Sequence, residues 1–164
     1  MTGTREQLAD QYAAKYHEGQ FRKKSTELYI AHPRRVADMI KDYGVSDDES
    51  VAIALLHDTV EDTPLTYDEI KSVFGSDVER GVRALTKTAF PNRDAYMASF
   101  DSAPYNIQII KLCDTLDNVK TIEALVPGKL ERKINDCKNF FIPLAEKVEP
   151  RIAKELRNYL RLYL

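Results

Sequence analysis

Six glycines in 164 residues leave little for a turn-rich β fold and less for a glycine-rich phosphate loop. Cysteine is scarcer still. Cys113 and Cys137 form no CxxC pair, which excludes a thiolate zinc site and suits reduced thiols in a cytoplasmic protein. No charge sign dominates. The 24 basic and 26 acidic residues give a formal net charge of -2 and a pI near 6.0, so bulk charge points to neither nucleic acid nor acidic membrane. No apolar run approaches the roughly 20 residues that a membrane helix needs, and residues 1–12 have no signal-peptide core. Repeats, low-complexity tracts and linkers are missing too. A chain that is 43% hydrophobic and 30% charged can instead build one well-solvated domain around a real core.

Helix signals recur along that chain. Thr4 with Gln7 forms a capping box, followed by Leu8, Tyr12 and Tyr16 on one face. Gly19 to Glu27 reads as a polar, basic loop. A helix is expected from Pro33, with Val36, Met39, Ile40 and Tyr43 inward, ending near Gly44. Ser46 with Glu49 caps the next, which runs through Val51 and Leu55 to His57-Asp58. Thr66 with Glu69 and Ser76 with Glu79 cap two short helices separated by Gly75, and Thr86 to Asn92 is a loop. A helix near Arg93 to Phe100 precedes a long one from Pro104 through Val126, which Pro127-Gly128 stops. Lys129 to Val148 is helical with a kink at Pro143. Pro150 opens a last helix with Ile152, Leu156, Tyr159 and Leu160 as its stripe. No β alternation appears, so the expected fold is all-α.

Two histidines stand in unusual settings. His57-Asp58 ends an apolar helix, and burying an ionisable pair is costly unless it is paired or holds a metal. An isolated His-Asp dipeptide is more often a satisfied core pair. Here Glu61 and Asp62 follow at once, so one imidazole and three carboxylates lie within six positions, a donor set suited to a divalent transition metal. Farther on, Asp114, Asn118 and Thr121 form a polar stripe beside Ile109, Leu112, Leu116 and Val119, with Asp117 on a more exposed line. His32, at a helix start, supplies a second imidazole. Arg22, Lys23 and Lys24 read as an ordinary basic loop, raised in interest by lying just before His32. His17 reads as a surface or locally bonded residue, and Cys113 as a small core residue.

The order His32…His57-Asp58…Asp114 resembles that of the HD superfamily of metal-dependent phosphohydrolases. Three longer stretches, LYIAHPRRVADMI, VAIALLHDTVEDT and IKLCDTLDNVKT, resemble the hydrolase domain of the RelA/SpoT alarmone family, especially its small stand-alone members, over about residues 1 to 150. The resemblance implies an HD-domain helical bundle that takes one divalent metal, usually Mn²⁺, on His32, His57, Asp58 and Asp114. It makes Glu61 and Asp62 the catalytic pair that positions or deprotonates water. Asn118, with Thr121 one turn on, then holds substrate, and the loop residues Arg22, Lys23, Lys24 and Ser25 border guanosine and phosphates. The chain departs from the pattern in that loop, where Leu28 stands before the tyrosine and either Arg22 or Lys23 can fill the arginine position. The implied activity is release of pyrophosphate from the 3′ position of (p)ppGpp, without the synthetic reaction. Two alternatives remain: an HD phosphohydrolase of another phosphorylated nucleotide, such as an adenosine alarmone or NADPH, and a non-catalytic nucleotide sensor. The expected partner is a small nucleotide, not nucleic acid or membrane.

Overall fold

Thr4 caps the first helix from both directions. Its hydroxyl accepts the Gln7 backbone N–H, while the Gln7 side chain accepts the Thr4 N–H. This box opens α1 (Arg5–Tyr16) in the computed structural model, which describes residues 4–164; residues 1–3 of the expected domain lie outside the described residues. The loop that follows is pinned by one antiparallel bridge, Phe21 to Leu28. α2 (Ala31–Asp42) begins two residues before the expected start, because Pro33 fits in a first turn where its missing N–H has no intrahelical partner to lose. It buries His32, Val36, Ala37 and Ile40.

α3 (Asp48–Leu56) is capped by Asp47 rather than Ser46: the Asp47 carboxylate accepts both the backbone N–H and the hydroxyl of Ser50. Every residue from Ser50 to His57 is buried. A helix apolar all round belongs at the centre of a fold, and α3 packs against α1, α2, α8 (Tyr105–Val119) and α6 (Ser76–Ala84). Gly81 permits the α6 approach, since a Cβ there would press into Ile53, with Cγ1 only 2.8 Å away. After α3 the chain turns through His57-Asp58 into the single-turn α4 (Thr59–Asp62), then into α5 (Tyr67–Phe74), capped by Thr66. Ser76 caps nothing. Gly75, at φ +96°, occupies that junction in a conformation open to glycine, and the chain passes straight into α6.

The segment Thr86 to Asn92 is a loop with one 3₁₀ turn, Lys87–Ala89, and α7 (Arg93–Ser99) follows, capped by Asn92. α8 stops at Val119, well short of Val126. The β-branched Val119, Thr121 and Ile122 weaken helix there, and Pro127 holds Val126 extended. Pro127 therefore starts α9 (Pro127–Asp136) instead of ending a helix. A π-helical turn, Cys137–Phe141, absorbs the irregularity ahead of Pro143 and leads into α10 (Ile142–Val148). α11 (Pro150–Leu160) packs on α10 and α8 through Ile152, Leu156 and Leu160. Tyr159, expected on that stripe, is 45% exposed. The fold is all-α: no strand occurs among the described residues, and no helix of theirs is long and apolar enough to cross a membrane.

Candidate metal centre and its cavity

α3 delivers His57 to the middle of the protein with its ring already oriented. Its Nδ1 lies 2.6 Å from the Ala54 carbonyl oxygen, which can only accept, so Nδ1 carries the proton and Nε2 is left with its lone pair. Asp58 follows on the same turn, its Oδ2 3.1 Å from His57 Nε2 and 3.6 Å from His32 Nε2. Tyr29 donates its hydroxyl to that Oδ2 at 2.6 Å.

His32 arrives from α2 and is gripped at both nitrogens by one turn of α8. Nε2 faces Asp114 Oδ1 at 2.9 Å, and Nδ1 faces Asp117 Oδ2 at 2.6 Å. Asp114 Oδ1 is also 3.3 Å from His57 Nε2 and accepts from Asn118 Nδ2 at 3.1 Å, while its Oδ2 accepts from Lys111 Nζ at 3.1 Å. Burial alone would raise the Asp114 pKa, but the Lys111 charge and the two histidine hydrogen bonds hold it well below the carboxylate range.

His32, His57, Asp58 and Asp114 thus present ligand atoms that all lie within 4.8 Å of one another. Two imidazole lone pairs pointed at two carboxylates repel unless a positive charge lies between them, so the donor set demands either protons or a cation. Burial lowers the His57 pKa, yet Asp58 and Asp114 outweigh it and the net shift is upward; at His32 burial is likewise outweighed by Asp114 and Asp117. First-row divalent ions bond nitrogen and oxygen at about 2.0–2.2 Å, and two such bonds match the span of this cluster. The four residues fit a divalent metal.

The cluster forms one end of a cavity of about 880 Å³. Glu61 and Asp62 stand at its edge on α4. The Glu61 carboxylate accepts the Lys87 backbone N–H at 3.0 Å, and partial burial together with the Asp58 and Glu61 charges pushes the Asp62 carboxyl up to about 6. Arg22, Lys23, Ser25, Asn118 and Thr121 all line the cavity, whereas Lys24, at φ +50°, does not. Arg22 Nη2 donates to Asn118 Oδ1 at 2.9 Å, which ties the basic loop through Asn118 to Asp114.

Several lining residues escaped the sequence reading. Lys87, Arg93, Lys111, Lys129, Arg132 and Lys133 also line the cavity. Lys111 lies half-buried beside Asp114 against the faces of Tyr96, Phe100 and Phe141, a setting that offsets the loss of water by cation–π attraction. Burial and the neighbouring Lys111 charge pull the Lys133 ammonium pKa down. These cations are dispersed through a 3₁₀ turn, α7, α8 and α9, so no run of charge announces them. Asp117 is a correction. It is 2% exposed instead of lying on an open face, because α8 is covered on every side near its end. His17 is also buried, with Nδ1 2.9 Å from Gln20 Oε1 and its ring centroid 4.7 Å from that of Tyr29.

The chain is similar to known proteins. A family model described as "HD domain" matches residues 9–149. A probable guanosine-3′,5′-bis(diphosphate) 3′-pyrophosphohydrolase of Synechocystis is 37% identical over 139 residues, covering 79% of this chain and 18% of its own. The protein of Aquifex aeolicus named guanosine-3′,5′-bis(diphosphate) 3′-pyrophosphohydrolase is 34% identical over 168 residues, covering 96% of this chain and 24% of its own. The chain therefore spans about a fifth of the length of the curated relatives it matches. The solved structure of a metazoan ortholog of SpoT, which hydrolyses ppGpp, superposes with a TM-score of 0.85 at 22% identity, over 99% of this chain and 97% of that one, and so shares its fold. With two histidines and two aspartates from three helices meeting at one point, and a family match that spans them all, the chain belongs to the HD domain family.

Proposed function

We propose that this chain hydrolyses the 3′-pyrophosphate of guanosine alarmones, converting ppGpp or pppGpp to GDP or GTP plus pyrophosphate, with Mn²⁺ on His32, His57, Asp58 and Asp114. The observation that carries this reading is the convergence of those four side chains at the end of a cavity walled by cations. The names of the relatives that match most of this chain, and the ppGpp-hydrolysing protein that shares its fold, support the choice of substrate. Two free, buried cysteines suit the reducing cytoplasm where such a nucleotide would be met.

A divalent cation at this site supplies Lewis-acid polarisation of a phosphoryl oxygen and acidifies water. The chain's own residues do the rest. Asp62, with its raised pKa, takes a proton from water as that oxygen bonds to the 3′-phosphorus. Glu61, held by the Lys87 N–H, orients the same water. The 3′-O–P bond breaks, pyrophosphate departs, and the ribose 3′-oxygen is protonated from solvent or the conjugate acid of Asp62. Arg22, Lys23, Lys129 and Arg132 neutralise phosphate charge, while Ser25, Asn118 and Thr121 hold the remaining polar edges.

The test is incubation of the purified chain with Mn²⁺ and ppGpp. Pyrophosphate and GDP are the expected products, absent with Asp58→Ala. No turnover above that variant's background would overturn the reading. The cavity reads charge more than base, which favours as second choice another nucleotide carrying two phosphate groups. A panel with adenosine alarmones and NADPH, scored for pyrophosphate against orthophosphate, separates the two.

A further inference from the structure

The two histidines of the cluster are held by different means. His57 is oriented by a neutral carbonyl that belongs to its own helix. His32 depends on Asp117, a carboxylate from another helix, 2% exposed and 2.6 Å from Nδ1. A buried carboxylate needs a charged partner, and Asp117 has one: Arg35 Nε donates to Oδ1 at 2.7 Å and Nη2 to Oδ2 at 3.0 Å, a two-pronged pair across α2 and α8. Arg35 also pairs with Glu27, and Arg22 Nη2 stands 3.9 Å from Asp117 Oδ2. The residue is thus anchored from the helix that carries His32 and from the basic loop.

The effect on the imidazole follows from donor chemistry. Asp117 can only accept when ionised, so His32 Nδ1 must donate to it, and Nε2 is the nitrogen that faces Asp58 and Asp114. An acceptor behind a ligating histidine fixes its tautomer and ring angle and raises its basicity. Asp114 and Asp117, one turn apart, accordingly serve opposite nitrogens of one ring. We infer that Asp117, held by Arg35, is a positioning residue for the metal centre: it sets His32 to offer Nε2 to a divalent cation.

This inference rests on the metal reading of the cluster, and the experiment keeps the two apart. Mn²⁺ binding to the full chain is measured by calorimetry for wild type, Asp117→Asn and Arg35→Gln, beside thermal melts of each. Asp117→Asn keeps the shape of the side chain but loses its charge, and is expected to weaken Mn²⁺ binding about 10–100-fold. Its pyrophosphate release should recover at saturating Mn²⁺, with KM for nucleotide unchanged. Arg35→Gln, at a half-exposed position, should weaken Mn²⁺ less, in the same direction. A merely structural role would lower the melting temperature and leave affinity alone. Wild-type Mn²⁺ affinity in Asp117→Asn overturns the assignment; should that variant fail to fold, wild-type affinity in Arg35→Gln overturns it instead. A wild-type chain that binds no Mn²⁺ overturns the metal reading and this inference with it.

Discussion

The two ends of the cavity are built on opposite terms. At the metal end, α2, α3 and α8 bring in buried histidines and Asp114 beside the half-buried Asp58, and three of the four have a partner behind them: Ala54 behind His57, Asp117 behind His32, Tyr29 behind Asp58. At the basic end, Lys23, Lys87, Lys129 and Arg132 project from a loop, a 3₁₀ turn and α9, and all are exposed. Lys23 even has its pKa drawn down, first by partial burial and then by the nearby Lys129, Arg22 and Lys87 charges. One end is preorganised by hydrogen bonds before anything binds; the other is a set of mutually repelling cations that an anion would relieve. Geometry is fixed where bonds are exchanged, and charge is concentrated where phosphate is held.

Substitutions can break or sharpen that contrast. The largest effect belongs to the metal end: Asp58→Ala should cut pyrophosphate release at least about 10³-fold, since several kcal/mol of charge stabilisation are lost. Next comes Asp62→Asn, expected to lower kcat about 10²–10⁴-fold. Because burial and the Asp58 and Glu61 charges raise the Asp62 pKa to about 6, the wild-type rate should fall as pH drops through that value and its base form is lost. A cation neutralising Asp58 moves this limb to lower pH, and Asp62→Asn should abolish it. A smaller change is expected at the basic end: Lys129→Met should raise KM about 10-fold with kcat nearly kept. A drop in kcat at constant KM would mean that the two ends do not divide the work in this way. Smallest of all, Lys24→Ala should stay within about two-fold of wild type in both constants, as an exposed side chain away from the cavity.

Legibility followed the same division. His57, Asp58 and Asp114 stand out because each is a polar residue within or at the end of an apolar helix, where solvation is unavailable and a partner must exist, whereas His32 is marked by the helix start and family-like stretch in which it lies. The basic wall gave no such sign. Arg93, Lys129, Arg132 and Lys133 look like any exposed helix surface until α7 and α9 are folded beside α8. Asp117 departs from its expected exposed line for a related reason. A face assignment assumes one open side, and α8 near its end has none. Helix boundaries failed where proline can either start or stop a helix: Pro127 starts α9, and its sequence neighbours alone do not decide between the two.

Residue order by itself carries the helical class and the oddly placed polar residues His57-Asp58 and Asp114, because apolar periodicity and misplaced polar groups are local signals; the complete ligand set and the pairing of Glu61 with Asp62 followed from the resemblance to a known family. Folding decided which carboxylate stands behind which imidazole and which of two dozen cations share a cavity. Those relations join residues such as His32 and Asp117, 85 positions apart, and depend on how helices cross rather than on what any one of them contains.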